Sequence, residues 1–167
     1  PLSNVDPDST IKIVTELEKE AQKLADADVD LVLLAATAPS TRMGKGYDAQ
    51  LVERIQQACG KRATTAATAM LCAMEAYNIK KVVSLVTDYG PGVDSEKFFK
   101  DTFIANGGVV IETLRVPLRN PDFAPFLQKV RDAKPDALFA FVPAGVGTAL
   151  MKQFTERGLD KAGIKVI

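Results

Sequence analysis

The chain contains no histidine. This absence excludes Ser-His-Asp and Cys-His nucleophiles, as well as the usual zinc sites that include histidine ligands. The two cysteines, Cys59 and Cys72, do not have a metal-ligand spacing, and no GxxxxGKS/T or GxGxxG phosphate loop follows a predicted strand. We therefore expect no metal site and no cofactor.

An excess of charge of one sign is also missing. Basic and acidic residues balance, 21 against 21, and aromatic residues make up only 7% of the chain. A neutral chain without a basic tract lacks the footprint of a nucleic-acid binder, and nothing in it favours pairing with anionic membranes. The apolar stretches at residues 29–38 and 137–142 stop well before the roughly 20 residues that a membrane span needs. Since no signal peptide opens the chain, we expect a soluble cytoplasmic protein with free thiols.

What is present is a regular alternation of apolar runs and helical periodicity. The 167 residues, 47% of them hydrophobic, suffice for one sizeable core, so we predict a single domain over residues 1–167. Helices are predicted at 8–25, Tyr47–Cys59, 68–77, 94–106, 123–133 and 148–157. Strands are predicted at 30–37, Arg62–Thr65, Lys81–Thr87, Val109–Val116, 137–142 and 164–167.

Continuous apolar strands separated by crossover helices indicate a parallel sheet that is covered on both faces. We predict an α/β fold: a three-layer, doubly wound, flavodoxin-like sheet of five to six strands. Ligands of such folds bind where the strands end at their carboxyl edge. The loops after Ala36, Thr65, Thr87, Val116 and Val142 therefore form the candidate site.

Three of these loops carry a short sequence motif each. Residues 35–40 read AATAPS, residues 63–69 read ATTAATA, and residues 86–89 read VTDY. Together they resemble the catalytic loops of the aspartate/glutamate racemase superfamily, which includes arylmalonate decarboxylases and maleate isomerases. The resemblance covers about residues 1–90.

The resemblance implies chemistry that the chain cannot complete. Enzymes of this superfamily remove a proton from a carbon next to a carboxylate, and they use cysteine thiolates to do so. The position of the first cysteine is occupied by Ala36, and residues 91–167 contain no cysteine that could be the second. We therefore expect that the protein is not an enzyme, with residual racemase or decarboxylase activity as an alternative.

The part of the site that the resemblance preserves is a cradle for a carboxylate. It would consist of the hydroxyls of Thr37, Thr65 and Tyr89 and of backbone amides at Ala38 and Ser40. In the competing interpretation, the threonines only cap helices and turns.

The last part of the chain carries a second set of motifs. They are DYGPGVD at 88–94, RVPL at 115–118, NPDFAPFL at 120–127, KPDA at 134–137, FVPAG at 141–145 and KQFTERGL at 152–159. These segments resemble the second lobe of the branched-chain amino-acid-binding proteins of ABC importers, over about residues 84–167. Such proteins close two lobes around an amino acid, and the resemblance places Tyr89, Ala144 and Gly145 at the ligand. No segment resembles the first lobe, so we expect weak binding.

The two resemblances meet within residues 82–90. We interpret the chain as an engineered or recombined chimera of a racemase-like half, residues 1–87, and a binding-protein-like half, residues 88–167. The primary expectation is an α/β scaffold with no catalytic activity and no native role. The alternative is a weak binding module for a small carboxylate or amino acid. We also expect a homodimer through an edge strand, since the last strand, ending at Ile167, is short.

Overall fold

The computed structural model describes residues 7–36, 39 and 46–167. The helices in these residues are α1 (Pro7–Thr15), α2 (Leu17–Asp26), α3 (Tyr47–Cys59), α4 (Ala66–Ala76), α5 (Gly90–Ala105), α6 (Ala124–Ala133) and α7 (Ala144–Glu156). The strands are β1 (Leu31–Leu34), β2 (Arg62–Thr65), β3 (Lys81–Thr87), β4 (Val109–Val116), β5 (Ala137–Phe141) and β6 (Lys165–Val166).

All strand pairs in the described residues are parallel, which confirms the predicted α/β class. The chain divides into two compact units, Pro1–Ala73 and Met74–Ile167. The first unit contains the two-stranded sheet β1-β2, and the second contains a four-stranded sheet in the order β4-β3-β5-β6. The six strands thus form two sheets where the sequence predicted one, and the single domain stays a prediction.

The core of the first unit lies between α2, α3 and the small sheet. It consists of Leu17, Ala21, Val32, Leu51, Ile55 and Cys59. Arg54 of α3 adds polar ties, since its Nε lies 2.5 Å from a Glu18 carboxylate oxygen and its Nη2 donates to the Val14 carbonyl at 2.8 Å. Cys59, the last residue of α3, is buried in this core, as expected for a small apolar side chain.

The core of the second unit surrounds β3, whose residues from Val82 to Thr87 are all buried. Val83 and Leu85 pack with apolar side chains of α6 and α7 on one face of the sheet. Successive strand residues point to opposite faces. The other face is covered by α5, whose Phe99 stacks on Phe139 of β5 with ring centroids 4.0 Å apart.

One predicted helix is interrupted in the structure, and another begins earlier than predicted. The first helix is interrupted at Glu16, although Glu16 N–H still bonds to the Lys12 carbonyl at 3.1 Å. At the break, the Thr15 hydroxyl donates to the Ile11 carbonyl at 2.8 Å, a local bond that competes with regular helix geometry. The helix predicted at 148–157 begins earlier, at Ala144.

The start of α5 also lies earlier than the predicted residue 94. The Gly-Pro-Gly segment that begins at Gly90 suggested a loop, yet it forms the first helical turn. Pro91 is tolerated there because the first N–H groups of a helix need no partner within the helix. Gly92 has a packing role, because a Cβ at this position would lie 2.0 Å from the Thr87 carbonyl oxygen.

An irregularity interrupts the pairing of β3 with β4. Val82 pairs with Val110 and Val83 pairs with Glu112, so Ile111 is an extra residue in β4, which makes a β-bulge. β4 lies at the end of its sheet, and Ile111 is 41% exposed.

At the amino ends of the strands, Asp136 connects β3, β5 and β6. Its carboxylate accepts the backbone N–H groups of Lys80 and Lys81 at 2.8 and 2.7 Å. Its carbonyl accepts the N–H of Lys165 at 3.1 Å. The hydrogen bond from Lys80 N–H, and then the one from Lys81 N–H, hold the pKa of Asp136 below its ordinary value.

The helices of the described residues include none with the length and apolar character of a membrane span.

We predict that Gly92→Ala lowers the free energy of unfolding by about 1–3 kcal/mol, because the added methyl group would overlap a backbone carbonyl that cannot rotate away. The matched control is Gly90→Ala in the same helical turn, where a Cβ meets no atom within 4 Å. Its effect should stay within about 1 kcal/mol. Urea unfolding followed by circular dichroism compares the two, and equal effects would contradict the close contact.

We predict that Asp136→Asn costs about 1 kcal/mol of stability at pH 7, because it replaces two charge-assisted hydrogen bonds by neutral ones. A depressed folded-state pKa stabilises the fold above the unfolded-state pKa of about 3.9, and this contribution is lost as the pH falls further. The stability difference from wild type should therefore shrink below that pH. Asp132→Asn is the control, since the side-chain donor to Asp132 within the described residues is the exposed Gln128 amide. A pH-independent difference would refute the assignment.

Candidate functional site

The four-stranded sheet has a topological switch point between β3 and β5. These neighbouring strands pair in parallel, with Val86 opposite Phe141, so their carboxyl ends lie side by side. From β3 the chain continues through α5 to β4 on one side, and from β5 through α7 to β6 on the other. Right-handed crossovers in opposite directions place the two helices on opposite faces and leave a crevice between the strand ends.

Thr87 ends β3 at this crevice. The residue is fully buried, and its hydroxyl has no hydrogen-bond partner within the described part of the protein. The backbone that follows is well anchored, since Asp88 N–H donates to the Val116 carbonyl at 2.8 Å and Tyr89 N–H to the Thr87 carbonyl at 2.9 Å. The site thus combines a fixed backbone with a buried hydroxyl that has no partner among the described residues.

Two helix N-termini follow the strand ends. In α7, the N–H groups of Val146 and Gly147 bond to the Pro143 carbonyl, so Ala144 and Gly145 carry the amides without a helical acceptor. In α5, the first such bond is made by Val93 N–H. Neither helix has an acidic residue in its first turn. The positive ends of both helix dipoles are therefore free to attract an anion.

A charged network flanks the crevice on the α5 face. The nearly buried Glu96 carboxylate of α5 receives Arg115 Nε at 3.0 Å and Arg115 Nη2 at 3.4 Å. Lys100 Nζ lies 3.9 Å from Glu96, and Arg115 Nη1 lies 3.9 Å from Asp88. The hydrogen bonds to Glu96, and then its charge, raise the pKa of Arg115.

The first unit has its own polar cluster where β2 ends. The Thr65 hydroxyl donates to Asp48 Oδ2 at 2.6 Å, the Thr68 hydroxyl donates to the same oxygen, and Thr65 Oγ1 accepts the Thr68 N–H at 3.1 Å. Asp48 Oδ1 is buried and, among the residues described, has no partner. A hydroxyl has one proton to donate, so Thr65 is occupied, and the adjacent carboxylate disfavours a second anion.

The predicted site residues fall into three groups. Tyr89, Ala144 and Gly145 lie around the switch point of the second unit, Thr65 lies at the end of β2 in the first, and Thr37, Ala38 and Ser40 lie outside the described residues. For Thr65, the Asp48 contact argues against the predicted carboxylate contact, which stays a prediction.

Three polar residues of these clusters were not among the predicted site residues. Asp48 lies in the first turn of α3, and Thr87 and Arg115 lie within the VTDY and RVPL motifs, but only the folded chain shows their contacts. No group of three metal-binding side chains occurs in residues 7–36, 39 and 46–167.

A parallel sheet with a switch-point crevice and two free helix N-termini is typical of α/β proteins that bind small molecules. A family model described as periplasmic binding protein matches residues 57–167. The chain therefore belongs to the periplasmic binding protein family.

Individual relatives agree with this assignment. The chain is 45% identical over 89 residues to the Leu/Ile/Val-binding protein homolog 6 of Brucella abortus (strain 2308), a match that covers 53% of this chain and 23% of the relative. The chain thus spans less than a quarter of the length of the curated relatives it matches.

The chain is similar to two kinds of solved structure. A solute-binding protein of an ABC transporter from Rhodopseudomonas palustris BisB5, in complex with 3,4-dihydroxybenzoic acid, is 38% identical, with a TM-score of 0.55 over 92% of this chain and 47% of that chain. Arylmalonate decarboxylase is 18% identical, with a TM-score of 0.71 over 96% of this chain and 71% of that chain, which shows a shared fold.

The family match starts at residue 57, earlier than the predicted start near residue 84. The predicted junction within residues 82–90 therefore lies inside the matched range and not at its edge. The chimeric origin of the chain stays a prediction.

We predict opposite effects for two isosteric threonine substitutions at strand ends. Thr65→Val should lower the free energy of unfolding by about 1–3 kcal/mol, because it removes a hydrogen bond to Asp48 and the acceptor of the Thr68 N–H. Thr87→Val should be neutral or stabilising by up to about 1 kcal/mol, because it removes an unpaired buried hydroxyl. Urea unfolding of both variants is the measurement, and equal losses would mean that Thr87 has a partner.

Proposed function

We propose that the chain is a non-catalytic binding module for small carboxylates, and that the ligand occupies the switch-point crevice of the second unit. The observation that carries the proposal is the convergence of two helix N-termini, free of acidic residues in their first turns, on the ends of adjacent strands. The family match and the ligand of the Rhodopseudomonas palustris relative support it.

The crevice offers hydrogen-bond donors to a carboxylate, so the proposed site does not need a basic side chain. Amides at the start of α5 and α7, including those of Ala144 and Gly145, would bond to the carboxylate oxygens. The Tyr89 hydroxyl would supply a further donor. This set suits a single carboxylate group, on an amino acid or on an aromatic acid.

Binding would be weak because the crevice is open to water. Asp88, Gly90 and Gly145 are all exposed. Each hydrogen bond to the ligand then replaces one to water, and only the surplus contributes to affinity. A second wall would be needed to desolvate both ends of an amino acid.

The absence of catalysis is part of the proposal. Ala36 stands where the racemase resemblance expects a thiolate, and Cys59 lies in the core at the last residue of α3. Because the helices run opposite to the strands, the end of α3 lies towards the amino edge of its sheet, away from the strand ends where substrates bind. Cys72 lies within α4.

A recombined scaffold without a native role is the second candidate. It is favoured by a fold that matches arylmalonate decarboxylase over 96% of the chain, although the sequence match is to binding proteins. Such a scaffold would retain the crevice without any selected ligand.

The test is a titration of the ¹⁵N-labelled chain with 3,4-dihydroxybenzoate, benzoate and leucine, followed by heteronuclear NMR. We expect dose-dependent shifts confined to residues 87–92 and 142–146, with dissociation constants of about 1 mM or weaker for an open site. Benzamide, which has the shape of benzoate without its charge, is the control ligand.

The outcomes separate the candidates. Shifts with benzoate and not with benzamide support a carboxylate site. A spectrum that ignores all three carboxylates would overturn the binding proposal in favour of the scaffold. Turnover of an arylmalonate or racemisation of aspartate, abolished in Cys59→Ala or Cys72→Ala, would overturn the non-catalytic assignment.

A further inference from the structure

Arg115 contacts both ends of the connection from β3 into α5, which forms one side of the switch-point crevice. It is the next-to-last residue of β4, and its Nη1 lies 3.9 Å from the carboxylate of Asp88, which directly follows β3. Its Nε and Nη2 lie 3.0 and 3.4 Å from the two carboxylate oxygens of Glu96, which belongs to α5. Tyr89 and the free amides of α5 lie between these two contacts along the chain.

The contact with Glu96 is held firmly because Glu96 is only 5% exposed. A carboxylate that is removed from water requires a charged partner with good geometry, and two nearly parallel N–H donors from one guanidinium provide it. Lys100, whose Nζ lies 3.9 Å from Glu96 and 3.3 Å from the Thr113 hydroxyl, gives secondary support. The Arg115 guanidinium therefore has a fixed place beside the strand end.

We propose that Arg115 is a positioning residue for the carboxylate site, an inference that rests on the proposed function. The Arg115 guanidinium is hydrogen-bonded to Glu96 and lies 3.9 Å from the exposed Asp88 carboxylate, so it links the end of β3 to α5 while the backbone amides of α5 bind the ligand. Arg115 thereby fixes the angle between the end of β3 and the first turn of α5, and this angle sets the direction of the amides.

Substitution of Asp88 distinguishes a charge effect from a positioning effect, because the two change the dissociation constant in opposite directions. If Asp88 acted only through its charge, Asp88→Asn would strengthen the binding of an anion, because a nearby negative charge would be removed. If Asp88 holds its segment through Arg115, the same substitution should weaken binding, because the ordered arrangement of the amides is lost. The two mechanisms thus predict opposite changes in the dissociation constant.

The experiment is an NMR titration with 3,4-dihydroxybenzoate of the wild type, Arg115→Gln, Arg115→Lys and Asp88→Asn. We expect at least about fivefold weaker binding for Arg115→Gln and Asp88→Asn, and partial rescue in Arg115→Lys, which keeps the charge. The matched control is Lys97→Gln, which breaks an exposed ion pair with Asp101 on the same helix and should leave binding unchanged.

Arg115→Gln leaves Glu96 buried beside a single distant cation, so this variant can fail to fold. The double variant Glu96→Gln/Arg115→Gln removes both charges, and it should fold while binding as weakly as the single variant. Ligand-free spectra give a second readout, because the amide peaks of residues 88–92 should shift and broaden in both Arg115→Gln variants and remain unchanged in Lys97→Gln.

Two failures can be told apart. A wild type that responds to no carboxylate overturns the proposed function, while the ligand-free spectra still decide whether Arg115 orders residues 88–92. A wild type that binds, with unchanged affinity in the double variant or tighter binding in Asp88→Asn, overturns the positioning role alone.

Discussion

The burial of β3 on both edges and both faces is the constraint on which the second unit depends. The strand pairs with β4 and β5, and every residue from Val82 to Thr87 is buried. A strand enclosed in this way cannot shift in register without moving apolar side chains out of the core. Its end is therefore a fixed point, and α5 can approach it so closely that only a glycine fits at position 92. The position of the β3 end therefore determines the geometry of the crevice.

Two relationships meet in the chain, and they concern different levels of structure. The sequence from residue 57 onward belongs to the periplasmic binding protein family, and the fold over nearly the whole chain matches that of arylmalonate decarboxylase. A parallel α/β architecture serves both, because the sheet supplies strand ends and helix N-termini while the loops supply the chemistry.

The sequence predicted the regular strands well and the polar contacts poorly. β2, β3 and β4 begin and end as predicted, because β-branched and apolar runs with clear boundaries need little tertiary information. The start of α5 was wrong, since a Gly-Pro-Gly segment favours a turn unless a neighbouring carbonyl requires the glycine. Tyr89, Ala144 and Gly145 could be placed near the crevice from motif position alone. The pairing of Glu96 with Arg115 could not, because it joins a helix to a strand that only folding brings together.

The bulge in β4 has a consequence for the behaviour of the protein in concentrated solution. An exposed edge strand presents unpaired backbone groups, and a flat one recruits further chains into aggregates. The extra residue at Ile111 breaks the spacing of those groups and increases the local twist, so that an incoming strand can match one half of the edge and not the other. A bulge of this kind disfavours the addition of a further strand, here at an edge where Val109 and Ile111 are exposed.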